Sequence, residues 1–312
     1  MNPAVRFGTP SAFGAAGAGT CAPPLELGSM ANRTSPTDPL PLNPSPAMAN
    51  PSDQPVSVTY RGRPPADAAP PAHEIPRYDD FRYRDVFWAA RDYEDRCDRM
   101  AIRALLPPLG ERLIEVGAGY GRLAGEYRGY REIVLLDASE AHVEAARWQF
   151  QGDSRVRVEQ GDAYALPFAD EAFDAVVCVR VVHHLEYPAA VFAEFERVLR
   201  PGGVLVLEFA NKRNLKAILN YAARRQSWSP YTTDPHEYLP LHFDRHPSEV
   251  RRLLRRAGLR VEAARAVSLF RLPMLRDRVP ARWLAAAERP LQAPLGSVAP
   301  GPSLYLRARK VG

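Results

Sequence analysis

Lysine is almost missing from this 312-residue chain: Lys212, Lys216 and Lys310 are its only three, and 38 arginines make up the rest of the 41 basic residues. Such a bias follows genome composition and assigns no chemistry. Cysteine is scarce as well. Cys21, Cys97 and Cys178 have neither metal-ligand nor redox spacing, which argues against a disulfide framework or a cysteine-built metal module. Cys97 falls in a helical pattern and Cys178 in an apolar strand, so both read as small buried hydrophobes. No run approaches the roughly 18–20 apolar residues of a membrane span. The first twenty residues lack the continuous apolar core and charged lead of a signal peptide. These absences describe a soluble, cytoplasmic protein of a reducing compartment with no membrane span.

Proline and charge are present but uneven. Residues 1–76 hold 16 of the 31 prolines and few aromatics. A segment of that composition buries too little apolar surface to offset its ordering entropy, and is expected to be a disordered tail. Residues 77–312 are then one large α/β domain, with a core at 84–210, an insertion or lid at 211–246 and a C-terminal part at 247–312. From 211 to 312 there are 20 basic and 7 acidic residues, net +13; from 1 to 210 there are 21 and 29, net −8. The C-terminal third is therefore a candidate docking surface for an anionic partner.

Apolar spacing predicts a helix over 84–106, stopped by Pro107-Pro108. Short apolar strands follow, ending at Val116 and spanning 131–137, 155–159, 173–179 and 204–209, with helices at 140–150 and 187–200. Strands alternating with helices imply a parallel sheet covered on both faces. After Ala210 the rhythm breaks. Residues 211–246 read as part helix (215–225) and part ordered loop, with no clean strand. A helix over 247–257 opens on Pro247 and Glu249, and strands are expected at 259–267 and 304–309.

In an open parallel sheet, ligands sit at the carboxyl ends of the strands. Strand one ends in Glu115-Val116-Gly117-Ala118-Gly119-Tyr120-Gly121, followed by what reads as a helix start at 123–127. Strand two ends in Asp137-Ala138, where a carboxylate suits a ribose diol. Gly161-Asp162-Ala163 follows strand three, placing an acid and backbone where an adenine edge can be met. Arg180 and His183-His184-Leu185 follow strand four, and Arg200-Pro201-Gly202-Gly203 suits a turn into strand five. A pyrophosphate-binding dehydrogenase needs its third glycine at position 122, where arginine stands, and Glu115 would repel a pyrophosphate while favouring a cation.

This ordered set resembles the class I S-adenosylmethionine-dependent methyltransferases, in particular the small-molecule branch of ubiquinone/menaquinone-biosynthesis type, over about residues 84–210. The motifs carrying the likeness are Glu-Val-Gly-Ala-Gly-Tyr-Gly, Leu-Leu-Asp-Ala-Ser, Gly-Asp-Ala-Tyr-Ala-Leu-Pro-Phe, Phe-Asp-Ala-Val-Val, His-His-Leu and Leu-Arg-Pro-Gly-Gly. The resemblance implies a doubly wound, mostly parallel seven-stranded Rossmann-like sheet whose last strand is antiparallel. It implies S-adenosyl-L-methionine as cofactor. Glu115, Gly117, Ala118, Gly119 and Gly121 would hold the methionine part, Asp137 with Ala138 the ribose, and Asp162 with Ala163 the adenine; Arg180 is a further candidate for the donor pocket.

The donor of such a reaction carries its own activation, so no obligatory catalytic residue can be read off. His183 and His184 are candidates to take a proton or orient an acceptor. His242-x-Asp244-x-His246 has loop spacing that occurs by chance and is not read as a metal site. The aromatics Tyr78, Phe81, Tyr83, Phe87 and Trp88 are candidates to fold over the donor. Val179-Arg180-Val181-Val182 stands where enzymes that methylate amino groups of adenine or glutamine carry an Asn/Asp-Pro-Pro-aromatic motif, and a Pro-Cys nucleophile is missing. The expected reaction is methyl transfer to O, N or C of a small-molecule acceptor. An RNA-modifying enzyme using the basic C-terminal third, and a catalytically silent donor-binding protein, stay open as alternatives.

Overall fold

Strand β1 (Gly110–Val116) shows how the sheet is buried. Its side chains alternate between two apolar clusters: Ile114 and Val116 join one, Leu113 the other. The computed structural model describes His73, Trp88 and residues 90–312, so the remainder of the proline-rich segment and all the 78–88 aromatics except Trp88 lie outside the described residues. In chain order the elements are α1 (Asp92–Leu105), β1, β2 (Tyr130–Asp137), α2 (Glu140–Phe150), β3 (Val156–Gln160), β4 (Phe173–Cys178), α3 (Pro188–Val198) and β5 (Leu199–Ala210). They continue as α4 (Leu215–Ala222), β6 (His236–Leu239), β7 (His242–Asp244), α5 (Pro247–Arg256), β8 (Leu259–Val267), α6 (Pro273–Arg276), α7 (Ala281–Glu288) and β9 (Ser303–Lys310).

Seven strands form one sheet in the order β3-β2-β1-β4-β5-β9-β8. The first five pair in parallel, and β9 runs antiparallel to both β5 and β8, as the resemblance implied. Parallel strands need crossovers that cover the faces, which is why their apolar runs are nearly continuous. On one face α3 and α5 pack Val191, Phe192, Phe195, Val250 and Leu254 against Ile114, Val134, Val176 and Leu205. On the other, α1 and α7 pack Tyr93, Cys97, Ala101, Ile102, Leu284 and Ala285 against Leu113, Ile133, Ala175 and Val206. Cys97 and Cys178 are both free thiols buried in these clusters. Among the described residues no helix is long and apolar enough to cross a membrane.

Two expectations fail locally. The helix expected from Leu123 is only a 3-10 turn, Ala124–Glu126. Residues 117–129 are all the chain available between β1 and β2, and the glycine loop takes the first of them. Leu123 and Tyr127 then turn inward as core residues. The segment 211–246 was read without strands, yet β6 and β7 form an antiparallel hairpin with His236 opposite Asp244. Its strands are short and mostly polar, so no alternation marks them in the sequence. Lys212 holds the preceding loop in place, its Nζ donating to the Thr232 hydroxyl at 2.8 Å and the Asp234 carbonyl at 2.6 Å.

Leu207 on β5 is fully buried in the cluster beneath α3 and α5. Leu207→Ala is expected to lower unfolding free energy by about 2–5 kcal/mol, by lost transfer energy plus a cavity. Urea unfolding followed by circular dichroism measures it; a change within 0.5 kcal/mol (about the size of a surface effect) would contradict this packing.

Candidate active site

The carboxyl ends of β1 to β4 open onto one cavity of about 1020 Å³. Backbone amides build its first wall. Gly117 and Ala118 donate to the Leu136 carbonyl at 2.8 and 3.0 Å, which folds the glycine loop across β2. Gly119 then donates to Asp137 Oδ2 at 2.7 Å, Ser139 donates its backbone N–H to Asp137 Oδ1 at 3.0 Å, and His142 Nδ1 lies 3.3 Å from that same oxygen. Asp137 therefore fixes the loop as well as facing the cavity. The glycines divide the work. Gly119 has φ +57°, and a Cβ there would meet nothing nearer than His142 Nδ1 at 4.0 Å, so it would project into open space. Gly121, at φ +82°, is instead packed, with a Cβ falling 2.3 Å from Phe150, and it does not line the cavity.

Glu115 follows from the alternation of β1. It lines the cavity, yet its side chain is buried, and its Oε2 has no hydrogen-bond partner among the described residues. The Tyr127 hydroxyl nearby is likewise buried and unpartnered, short of hydrogen-bond geometry with it. Burial pushes the Glu115 carboxyl up to about 8, against the pull of the Arg122 charge. A buried acid without a partner costs free energy, and a cation at the cavity floor would relieve it.

Across the cavity, Asp162 accepts the Tyr164 N–H on Oδ1 at 2.9 Å and meets His73 Nε2 with Oδ2 at 2.8 Å. The His73 ring stacks tilted on Tyr164, 3.8 Å between centroids, and itself lines the cavity. Ala118, Ala138 and Ala163 complete these walls with small side chains.

The fourth wall is an ion cluster. Asp98, fully buried on α1, accepts from Arg180 Nε at 3.1 Å and Nη2 at 3.0 Å and from Arg122 Nη2 at 3.0 Å. Arg122 also pairs with Asp95, and its guanidinium lies 3.7 Å above the Trp88 ring. Burial disfavours the Arg180 charge, but Asp98 and Glu208 more than offset that and hold it protonated more firmly than usual. Arg180 has φ +60°, a strained conformation for a long side chain. Its N–H donates to Glu208 at 2.9 Å, so the strain is held from both ends.

The two candidate histidines separate. His184 lines the cavity; His183 does not, and packs behind it with 3.9 Å between the rings. His184 Nδ1 is 3.2 Å from the Leu241 carbonyl at the hairpin tip, and the His242 ring stands 4.5 Å away. Burial lowers His183 well below the usual range and His184 to about 4. Both are neutral at neutral pH. His242 Nδ1 lies 2.9 Å from the Pro240 carbonyl, and His246 Nδ1 accepts the Ser248 N–H at the start of α5. Among the described residues no three His, Cys, Asp or Glu side chains are arranged to hold a metal ion.

Sequence reading missed Asp98, Arg122, His73, Tyr164, His142 and Leu241. Asp95 and Asp98 are spaced to share one face of α1 near residue 122, but nothing in the sequence says that this face meets strand four. His73 lies in a stretch whose composition signals only disorder.

Residues 114–207 match a family model described as "Methyltransferase domain". The chain is 36% identical over 110 residues to a demethylmenaquinone methyltransferase of Clavibacter sepedonicus, covering 35% of this chain and 45% of that protein. It is 35% identical over 116 residues to the 27-O-demethylrifamycin SV methyltransferase of Amycolatopsis mediterranei, covering 35% and 42%. The chain thus spans less than half the length of these relatives. A solved S-adenosylmethionine-dependent methyltransferase of Thermotoga maritima, 21% identical, shares the fold with a TM-score of 0.52 over 73% of this chain and 94% of its own. Residues 114–207 thus resemble a methyltransferase domain, and the sheet that carries them has the Rossmann-like fold seen in that solved class I methyltransferase.

Proposed function

We propose that the chain is an S-adenosylmethionine-dependent methyltransferase acting on an O, N or C atom of a small-molecule acceptor. The observation that carries this is Glu115, a buried carboxyl left without a partner at the floor of the cavity and beside a glycine loop that presents bare backbone. That donor set suits a cationic amino acid and not a pyrophosphate. When bound, the cofactor supplies a methyl group already activated on a sulfonium. Glu115 would hold its ammonium end, Asp137 and Ala138 its ribose, and Asp162 with Ala163 its adenine. Asp137 can accept further hydrogen bonds, since an ionised carboxylate offers about four lone-pair sites. One of the two relatives is named for methylation of an oxygen, and the acceptor here is proposed only as a class.

Arg180 and Arg122, fixed by Asp98, line the cavity beside Glu115. His184 would orient the acceptor. An imidazole lowered to about 4 is a weak proton acceptor at neutral pH. With Nδ1–H donated to Leu241, Nε2 is the nitrogen that can accept a hydrogen bond from an acceptor hydroxyl or amine.

Binding is expected to depend on pH through Glu115. Its carboxyl, raised to about 8, is protonated at pH 6–7 in the free protein, and a cationic ligand favours the ionised form. S-adenosylmethionine affinity, measured by calorimetry, should therefore rise from about pH 6 to 7.5 with release of a proton. Glu115→Gln should bind more weakly and without that rise. A pH-independent wild type would remove Glu115 from the cation site, and no binding at all would end the cofactor assignment.

His73 uses the Asp162 oxygen that the adenine amino group would need. His73→Ala is then expected to raise affinity for S-adenosylhomocysteine about two- to tenfold, the worth of one exchanged hydrogen bond. Unchanged or weaker binding would show that His73 does not compete, and Asp162→Asn supplies the control for a lost adenine contact.

A further inference from the structure

The segment between β5 and the hairpin combines exposed apolar side chains with cations. Helix α4 buries only Ala217. Leu215 and Leu219, one helical turn apart on the same side, are 52% and 58% exposed, and Tyr221 and Tyr231 stand exposed beside each other, 6.1 Å between rings. From Phe209 to Thr233 there is no acidic residue. Five basic residues occur there. Lys212 is consumed internally by carbonyls, which leaves Arg213, Lys216, Arg224 and Arg225. None of these four is ion-paired among the described residues, and the last three are exposed. Several surface arginines elsewhere sit on acids instead: Arg155 on Asp153, Arg197 on Glu194, Arg309 on Glu262.

Exposed leucines and tyrosines framed by unpaired cations, on a stretch with no carboxylate between Glu208 and Asp234, match one kind of surface. The apolar side chains can enter the boundary of a bilayer while the cations meet anionic headgroups. RNA would use the cations and leave the leucines in water. A second copy docked by the same face would bring four unpaired positive charges against four more. We propose that α4 and the loop after it dock the protein on an anionic lipid surface. The same insertion carries Leu241, which lines the cavity, so docking turns the site toward acceptors held in the lipid. That last clause rests on the methyl-transfer reading, whereas the docking itself does not.

The test is co-sedimentation of the full chain, at low salt, with vesicles of phosphatidylglycerol in phosphatidylcholine and with vesicles of phosphatidylcholine alone. The protein is expected to partition onto the anionic vesicles only. Leu215→Glu/Leu219→Glu and, separately, Lys216→Gln/Arg224→Gln/Arg225→Gln should each weaken partitioning by about tenfold or more. Both variants should keep the wild-type circular dichroism and S-adenosylhomocysteine affinity. If wild type binds no ligand yet partitions, only the methyltransferase reading fails. Docking is overturned by any of four results: no partitioning onto anionic vesicles, equal binding to neutral ones, retention by single-stranded RNA without vesicle binding, or a dimer in light scattering that the leucine variant dissolves while vesicles stay bare.

Discussion

A buried carboxyl with one oxygen left unpartnered sits where β1 ends, and the site is arranged around it. Glu115 is placed there by the period-two alternation of β1: its neighbours Ile114 and Val116 face the cluster under α3 and α5, and Glu115 faces the other way. The low-dielectric surroundings raise it to about 8. The backbone cannot relieve it, because the loop amides of Gly117, Ala118 and Gly119 are already given to Leu136 and Asp137. The loop is rigid and its one bare edge, at Gly119, is turned to the cavity. The buried carboxyl of Glu115 and the bare backbone at Gly119 face the same cavity.

Opposite charge is kept close but committed. Arg122 is near enough to act on Glu115, yet Asp98 binds it, and Arg180 with it, from a fully buried position on α1. Breaking one member of such a cluster leaves an unpaired buried charge, so the three residues hold one another in place. The cluster also reaches outward to Trp88 through Arg122. At the far end of the cavity His183 and His184 pack beneath His242 of the hairpin, and burial keeps the first two uncharged. The cavity thus runs from the charged groups of Arg122 and Arg180 to the neutral His184 within one continuous space.

How much of this was legible varied with the kind of signal. The apolar strands β2 and β4 fell within a residue of their expected bounds and β1 ended where expected, because buried parallel strands are written as unbroken apolar runs. Pro247 and Glu249 announced α5. Glu115, Asp137 and Asp162 were expected at the strand ends, and all three line the cavity there. The 3-10 turn after the glycine loop was not, since it arises from the shortness of 117–129 and not from any residue in it. Nor was the hairpin, whose Leu241 and His242 meet His184 across about 57 residues of chain and whose preceding loop is held by Lys212. Asp98 read as one more surface acid on a charged helix; only the fold brings it to Arg180, 82 positions away.

The central claim is that Glu115 is a receptor for the cation of a sulfonium-type ligand. The most direct measurement is a crystal structure of the full chain with S-adenosylhomocysteine, which shares the amino-acid end of the donor. The account predicts its ammonium within hydrogen-bond reach of Glu115, its ribose on Asp137, and Asp162 turned from His73 to the adenine. A ligand bound elsewhere, or bound in the cavity with Glu115 still unpartnered, would contradict it.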